Sequence, residues 1–153
     1  MSNITTWGNA TWYLFHTMAE KIREDCFLTM KHEIFGFIKN ICSILPCPEC
    51  SEHASGILKR VNIHGIKTKI DFIEFLRQFH NIVNKRLNKH EFTAEEVSSK
   101  YKNAVTNQII LYFFQNFRAN VTDNKLRLES FKRDRALRSF HLWISKNGNK
   151  FNL

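Results

Sequence analysis

Residues 30–50 read MKHEIFGFIKNICSILPCPEC, and this stretch decides the fold class. Ile34, Phe37, Ile38, Ile41, Ile44 and Leu45 recur at three- and four-residue spacing, which lays an apolar stripe along one side of an α-helix. Pro46 ends that helix, because its ring and missing N–H cannot continue the backbone ladder. Pro48 is suited to the first turn of a following helix, where the missing N–H has no intrahelical partner anyway. That third helix opens at Cys47 or Pro48 and carries Ala54, Ile57, Leu58 and Val61 inward.

The same periodicity extends in both directions. Thr5 and Thr6 are placed to cap a first helix that runs to about Arg23, with a polar break at Glu24 and Asp25; the second helix is read over about 30–45. Residues 62–69, containing Gly65, read as a loop. Thr68 begins a fourth helix to about Asn88, with Phe72, Leu76, Phe79, Val83 and Leu87 on its apolar face. Thr93 and Glu96 form a capping box that opens a fifth helix, predicted to continue through Tyr101 to Phe117. Asp123 is placed to cap a sixth helix through Trp143, ending near Gly148.

Composition agrees with a helical chain. Five glycines and two prolines in 153 residues are too few for the turns of a sandwich, a barrel or a multi-stranded α/β sheet, while 14 phenylalanines call for a packed interior. The expected class is all-α. The longest uncharged apolar run, Ile109 to Phe114, is far short of the roughly 18 residues that cross a bilayer. Residues 1–6 carry no Lys or Arg before the apolar positions and so do not read as a secretory signal, which makes a cytosolic protein the expectation. The net charge is +9, but residues 118–153 hold nine basic and three acidic side chains, leaving 14 against 11 for residues 1–117. The sequence therefore divides into a body, 1–117, and a basic extension, 118–153.

Three groups of residues have chemical potential. In Cys47-Pro-Glu-Cys50, a helix start favours a thiolate through its free N–H groups and dipole, and the spacing allows a redox disulfide. The same motif is also half of a zinc site that His53 or His64 would extend, or a pair of inert thiols. Trp12 and His16 lie one turn apart behind Trp7 and Gly8, as a ligand wall or as a core aromatic beside a satisfied histidine. His80, Asn84 and Asn88 fall at i, i+4 and i+8, with Asn81 beside them and Lys89 at the end. That row suits either a planar polar ligand bearing a phosphate or an ordinary polar face. No GxGxxG and no GxxxxGK[ST] is present, so a nucleotide would have to lie between helices.

Taken in order, WGxxxWxxxHT (Trp7 to Thr17), PCxxC (Pro46 to Cys50), FHNxVNxRLNK (Phe79 to Lys89) and the Tyr101-Lys102 pair make residues 5–117 resemble the Erv/ALR family of FAD-dependent sulfhydryl oxidases. The chain is most similar to the compact members encoded by large DNA viruses, a resemblance that implies action in the host cytoplasm or the virion. It also implies a four-helix bundle with a short fifth helix holding FAD, working as a homodimer. Trp7, Gly8, Thr11, Trp12, His16 and Cys50 would line the flavin pocket; His80, Asn81, Asn84, Leu87 and Lys89 would follow the adenine, ribose and pyrophosphate. Tyr101 would stack on a ring where many relatives have Trp, and Lys102 would serve the pyrophosphate. Cys47 would exchange with a dithiol or thioredoxin-like protein substrate, Cys50 would face the flavin, and oxygen would leave as hydrogen peroxide. No metal is implied.

The departures bear on the same residues. Asn9 stands where many relatives have Arg, and Leu45 where they have Tyr. Arg77 occupies the position of a structural cysteine, so the disulfide that ties the fourth helix to the C-terminus in many relatives is expected to be absent, as is a shuttle CxxC in a tail. Cys26, read in a loop, and Cys42, read in the second helix, are either bridged or two free thiols. The last helix lies outside the resemblance. Phe131, Leu137, Phe140, Trp143 and Ile144 run among Lys132, Arg133, Arg135 and Arg138, giving an amphipathic basic helix. It either packs its apolar side on the bundle or across a dimer, or docks on an acidic protein, a membrane surface or nucleic acid.

Overall fold

A computed structural model describes residues 4–117 and 127–153. Among the described residues seven helices follow one another: α1 (Ile4–Lys21), α2 (Glu24–Ser43), α3 (Pro48–Lys59), α4 (Lys69–Arg86), α5 (Ala94–Tyr101), α6 (Thr106–Phe117) and α7 (Arg127–Asn147), with 3-10 turns at Ile63–Gly65 and Gly148–Lys150. Among the described residues the only β pairing is an isolated antiparallel bridge between Ile22 and Phe151. The fold is all-α, as the sequence predicts. α1 lies against α4, α5 and α6, while α2 lies against α3 and α7. The stripe of residues 30–50 faces inward: Ile34, Ile38 and Ile41 are all at most 2% exposed, and they meet Phe72, Leu76 and Phe79 of α4 in one core. Burying each such side chain contributes about 1.5–3 kcal/mol.

Four boundaries differ from the sequence reading. The polar break at Glu24 and Asp25 is the acidic first turn of α2, where the helix dipole favours carboxylates. Cys26 thus sits on α2 rather than in a loop, and Cys42 near its other end. Sixteen residues at about 1.5 Å rise separate them, a distance no disulfide spans, and both thiols are free. α4 stops at Arg86 because Asn88 turns left-handed (φ 55°), and the Asn88 and Lys89 amides close back on Lys85 and Asn84 as in a Schellman stop. The predicted fifth helix is two helices, broken at residues 102–105. The break leaves Tyr101 buried, with α5 and α6 both packed against α1. α1 begins at Ile4, so Thr5 and Thr6 fall inside its first turn rather than capping it. Asp123 lies outside the described residues.

The extension is packed into the body. Leu137, Phe140 and Ile144 of α7 belong to the common core, with Phe140 against Phe37 of α2 and Phe114 of α6. Phe131, which the sequence grouped with that apolar side, is 61% exposed. The final residues strap the α1–α2 junction: Arg23 N–H donates to Lys150 O at 2.8 Å, Asn152 N–H to Lys21 O at 2.6 Å, and Thr106 Oγ1 to Asn152 O at 2.6 Å.

Candidate active site

Cys47 and Cys50 are joined as a disulfide at the start of α3, with Cα atoms 5.2 Å apart. The geometry follows from the local sequence. Pro46 ends the preceding segment, Cys47 is the extended N-cap, and Pro48 fills the first helical position. The Cys47 sulfur accepts the Cys50 N–H at 3.2 Å, in place of the usual capping oxygen. Ser51 ties the loop to the helix, its Oγ accepting the Leu45 N–H at 2.8 Å. Both cysteines are half-buried.

Beside the disulfide, a cleft of about 250 Å³ opens between α1, α3, α4 and α5. Cys50 lines it and Cys47 does not. Its floor is aromatic. Trp12 and His80 stack face to face, ring centroids 4.0 Å apart and 9° from parallel, and His16 stacks on Tyr101 in the same way at 4.3 Å. Its rim is cationic: Arg86, Lys89 and Lys100 line it, and no Asp or Glu does. Lys100 Nζ stands 5.1 to 5.6 Å from the ring centroids of Phe92, Tyr13 and Tyr101.

Burial sets the protonation of the floor. His16 Nε2 and His80 Nδ1 are 2.9 Å apart and share one hydrogen bond, so one ring donates and the other accepts. Burial, with the Lys100 and Lys89 charges behind it, holds His80 down at about 3; His16 is held well below the usual histidine range by burial, His80 and Lys100. Both rings are neutral near pH 7. Burial likewise pushes the Tyr101 hydroxyl and the Cys42 thiol upward, so the tyrosine stays un-ionised and the thiol inert. The site combines an exchangeable disulfide with an apolar, neutral-floored, cation-rimmed slot, a donor set for a flat aromatic group bearing phosphates.

Ten of the residues picked out in the sequence meet at this cleft: Trp7, Gly8, Thr11 and Trp12 from α1, Cys50 from α3, His80 and Asn84 from α4, Leu87 and Lys89 just beyond it, and Tyr101 from α5. Four lie outside its lining. Cys47 is bonded to Cys50 but is not part of the lining, and His16 sits behind His80, 1% exposed. Asn81 spends its amide on the backbone of Phe92, donating to the carbonyl at 2.8 Å and accepting the N–H at 2.7 Å. Lys102 is exposed at the end of α5. The sequence reading passed over Lys100 and Phe92, although Lys100 directly precedes the Tyr101-Lys102 pair and Phe92 directly precedes the Thr93 cap. The zinc alternative loses its geometry, since Cys47 and Cys50 are bonded to each other and no three His, Cys, Asp or Glu side chains among the described residues converge on one point.

Comparison with known proteins gives the arrangement a lineage. The family model for Erv1 / Alr matches residues 9–103. The chain is 33% identical over 97 residues to "Putative FAD-linked sulfhydryl oxidase 096R" of Invertebrate iridescent virus 3, covering 63% of this chain and 66% of that one. It is 29% identical over 94 residues to FAD-linked sulfhydryl oxidase ERV1 of Oryza sativa subsp. japonica, covering 61% of this chain and 48% of that one. It is 32% identical over 103 residues to the FAD-linked sulfhydryl oxidase of an African swine fever virus isolate, covering 67% of this chain and 86% of that one. The chain thus spans about half of the plant relative and just under two thirds of the iridescent virus protein. No solved structure gives a significant match. With its matched region containing both cysteines and nearly the whole cleft, the chain belongs to the Erv1/Alr family.

Proposed function

We propose that the protein is an FAD-linked thiol oxidase that forms disulfide bonds in a dithiol or thioredoxin-like protein. One observation carries the reading: of two bonded cysteines, Cys50 lines the aromatic cleft and Cys47 does not. The pair can therefore exchange with a protein on one side and deliver electrons on the other. The cleft suits FAD by its donor set. Trp12, Tyr13 and Phe92 line it as half-buried rings with His80 and Tyr101 buried beside them, and Lys89, Lys100 and Arg86 offer charge to a pyrophosphate with no carboxylate opposing it.

The substrate thiolate attacks the Cys47 sulfur. The Cys47–Cys50 bond breaks, Cys50 leaves as a thiolate at the cleft wall, and a mixed disulfide joins Cys47 to the substrate. A second substrate thiol then attacks the substrate's own sulfur in that bond, and Cys47 leaves as a thiolate. The Cys50 N–H and the α3 N-terminus stabilise that charge and speed release of the oxidised product. Two thiols have become one disulfide, and Cys47 and Cys50 hold the two electrons. FAD, when bound, supplies the acceptor that returns the pair to a disulfide and passes the electrons to oxygen, with release of hydrogen peroxide. The neutral His80, with the neutral His16 behind it, adds no charge to the cleft lining, and the aromatic rings there exclude water.

The reading includes a homodimer, a cytosolic site of action, and an acidic partner for the exposed Lys132, Arg135 and Arg138 of α7. Among the described residues no helix is long and apolar enough to cross a membrane. Purified protein should absorb near about 450 nm, bleach on addition of dithiothreitol without oxygen, and consume oxygen with it. A colourless protein that neither takes up added FAD nor consumes oxygen would refute the assignment; light scattering tests the dimer.

A further inference from the structure

The redox loop is held from outside the family-matched region. α2 is capped at its C-terminal end by Ile44, whose N–H closes on Ile41 O at 3.1 Å, and only Leu45 and Pro46 separate Ile44 from Cys47. The last turn of α2 has no basic side chain of its own to offset its carbonyl end. Arg133 of α7 supplies one. Its side chain is buried, 5% exposed, and its Nε donates to the Ile44 carbonyl at 3.0 Å. A guanidinium is costly to remove from water, so a buried one marks a contact with a definite structural task. On the other flank, Ser51 Oγ accepts the Leu45 N–H at 2.8 Å, and Ser51 N–H donates to Cys47 O at 3.0 Å. The segment that carries Cys47 is therefore clamped between α7 and α3.

We propose that Arg133 is a positioning residue for the Cys47–Cys50 couple, through which the C-terminal extension sets the couple's redox equilibrium and its aim at the cleft. The matched family region stops at residue 103, so this control belongs to this chain's own extension. The physical cause is chain freedom. When dithiothreitol reduces the pair, its two thiols give up two electrons and two protons to Cys47 and Cys50 and close to its own ring disulfide. How readily the protein disulfide re-forms depends on how closely the loop holds the two freed thiols. With the Ile44 carbonyl released, the loop samples more conformations, the effective concentration of one thiol at the other falls, and the disulfide becomes easier to reduce.

The test is an equilibrium titration of the full chain in reduced and oxidised dithiothreitol, reading the Cys47/Cys50 state from the mass shift on thiol alkylation. Arg133→Met should move the equilibrium constant toward the dithiol by about three- to ten-fold. Arg133→Lys, which keeps a cationic donor, should restore a large part of the change. Ser51→Ala, which loosens the other flank, should shift it in the same direction, and it carries the test with Arg133→Lys if Arg133→Met does not fold. Phe140→Leu loosens α7 in the core without touching Ile44, and should lower the melting temperature while leaving the equilibrium in place. Wild-type equilibria in both Arg133 variants would overturn the proposal, as would a Phe140→Leu shift equal to that of Arg133→Met. The titration needs neither flavin nor oxygen turnover, so its outcome is separate from that of the oxidase reading on which the inference rests.

Discussion

Cys47 and Cys50 are three residues apart and still have different surroundings, because one caps a helix and the other lies inside it against the cleft. Cys50→Ala should therefore keep the flavin colour and abolish oxygen consumption with dithiothreitol; full activity in that variant would refute the division of roles. Trp12→Ala removes the ring that stacks on His80 and should weaken FAD retention roughly ten-fold or more, measured by equilibrium dialysis, at the usual value of an aromatic stack. The histidine pair gives a pH signature. His80 is held at about 3 in the folded protein against an ordinary value near 6.5, so between those values the unfolded chain binds a proton that the folded one refuses. Stability should be unaffected by this group above about pH 6.5 and fall by roughly 1.4 kcal/mol per pH unit below it. His16, shifted in the same direction, adds to the slope. Urea midpoints taken between pH 7.5 and 5 should show the loss, and His80→Gln should reduce it to the part that His16 contributes.

Among the helices, the parts legible in the sequence are those fixed by neighbours in the chain. Thr68 with Asp71 and Thr93 with Glu96 form full capping boxes, and the latter could be read from spacing alone. The stop of α4 could not, because Asn88 fits the helical row equally well as a polar side chain and as the left-handed residue that ends it. Asn81 and Arg77 are similar cases. Their side chains read as ligand contacts or substituted positions until the segment 88–93 is seen folding back, where Arg77 Nη1 and Asn81 Nδ2 both donate to Phe92 O, at 3.0 and 2.8 Å. Asn81→Ala should cost about 1–3 kcal/mol by thermal or urea unfolding, since it unpairs the Phe92 N–H. It should also hasten FAD loss by freeing the Phe92 wall, with the dithiothreitol equilibrium of Cys47–Cys50 unmoved. A ligand-contact role alone would leave stability intact.

Across the whole molecule, the basic extension that looked separable in composition is stitched to both ends of the body. Phe151 is 6% exposed in the core, and its neighbours in the final residues bond the turn between α1 and α2. Phe151→Ala should lower stability by about 2–3 kcal/mol, or roughly 5–10 °C in melting temperature for a chain of this size, while leaving the flavin spectrum unchanged. A shift below 1 °C would mean that the strap contributes nothing to the fold.

What the sequence determined by itself is local or periodic: an all-α chain, because apolar side chains recur at helical spacing with few turn residues; a dithiol at a helix start, because two prolines bracket its first cysteine; and a slot between helices for any nucleotide, because glycine loops are missing. Tertiary structure alone decided that Lys100 reaches the cleft, and that Arg133, 89 residues along the chain from Ile44, closes the loop beside the redox pair. These depend on how separate helices are brought together in space, and spacing along the chain carries no record of a contact made across it.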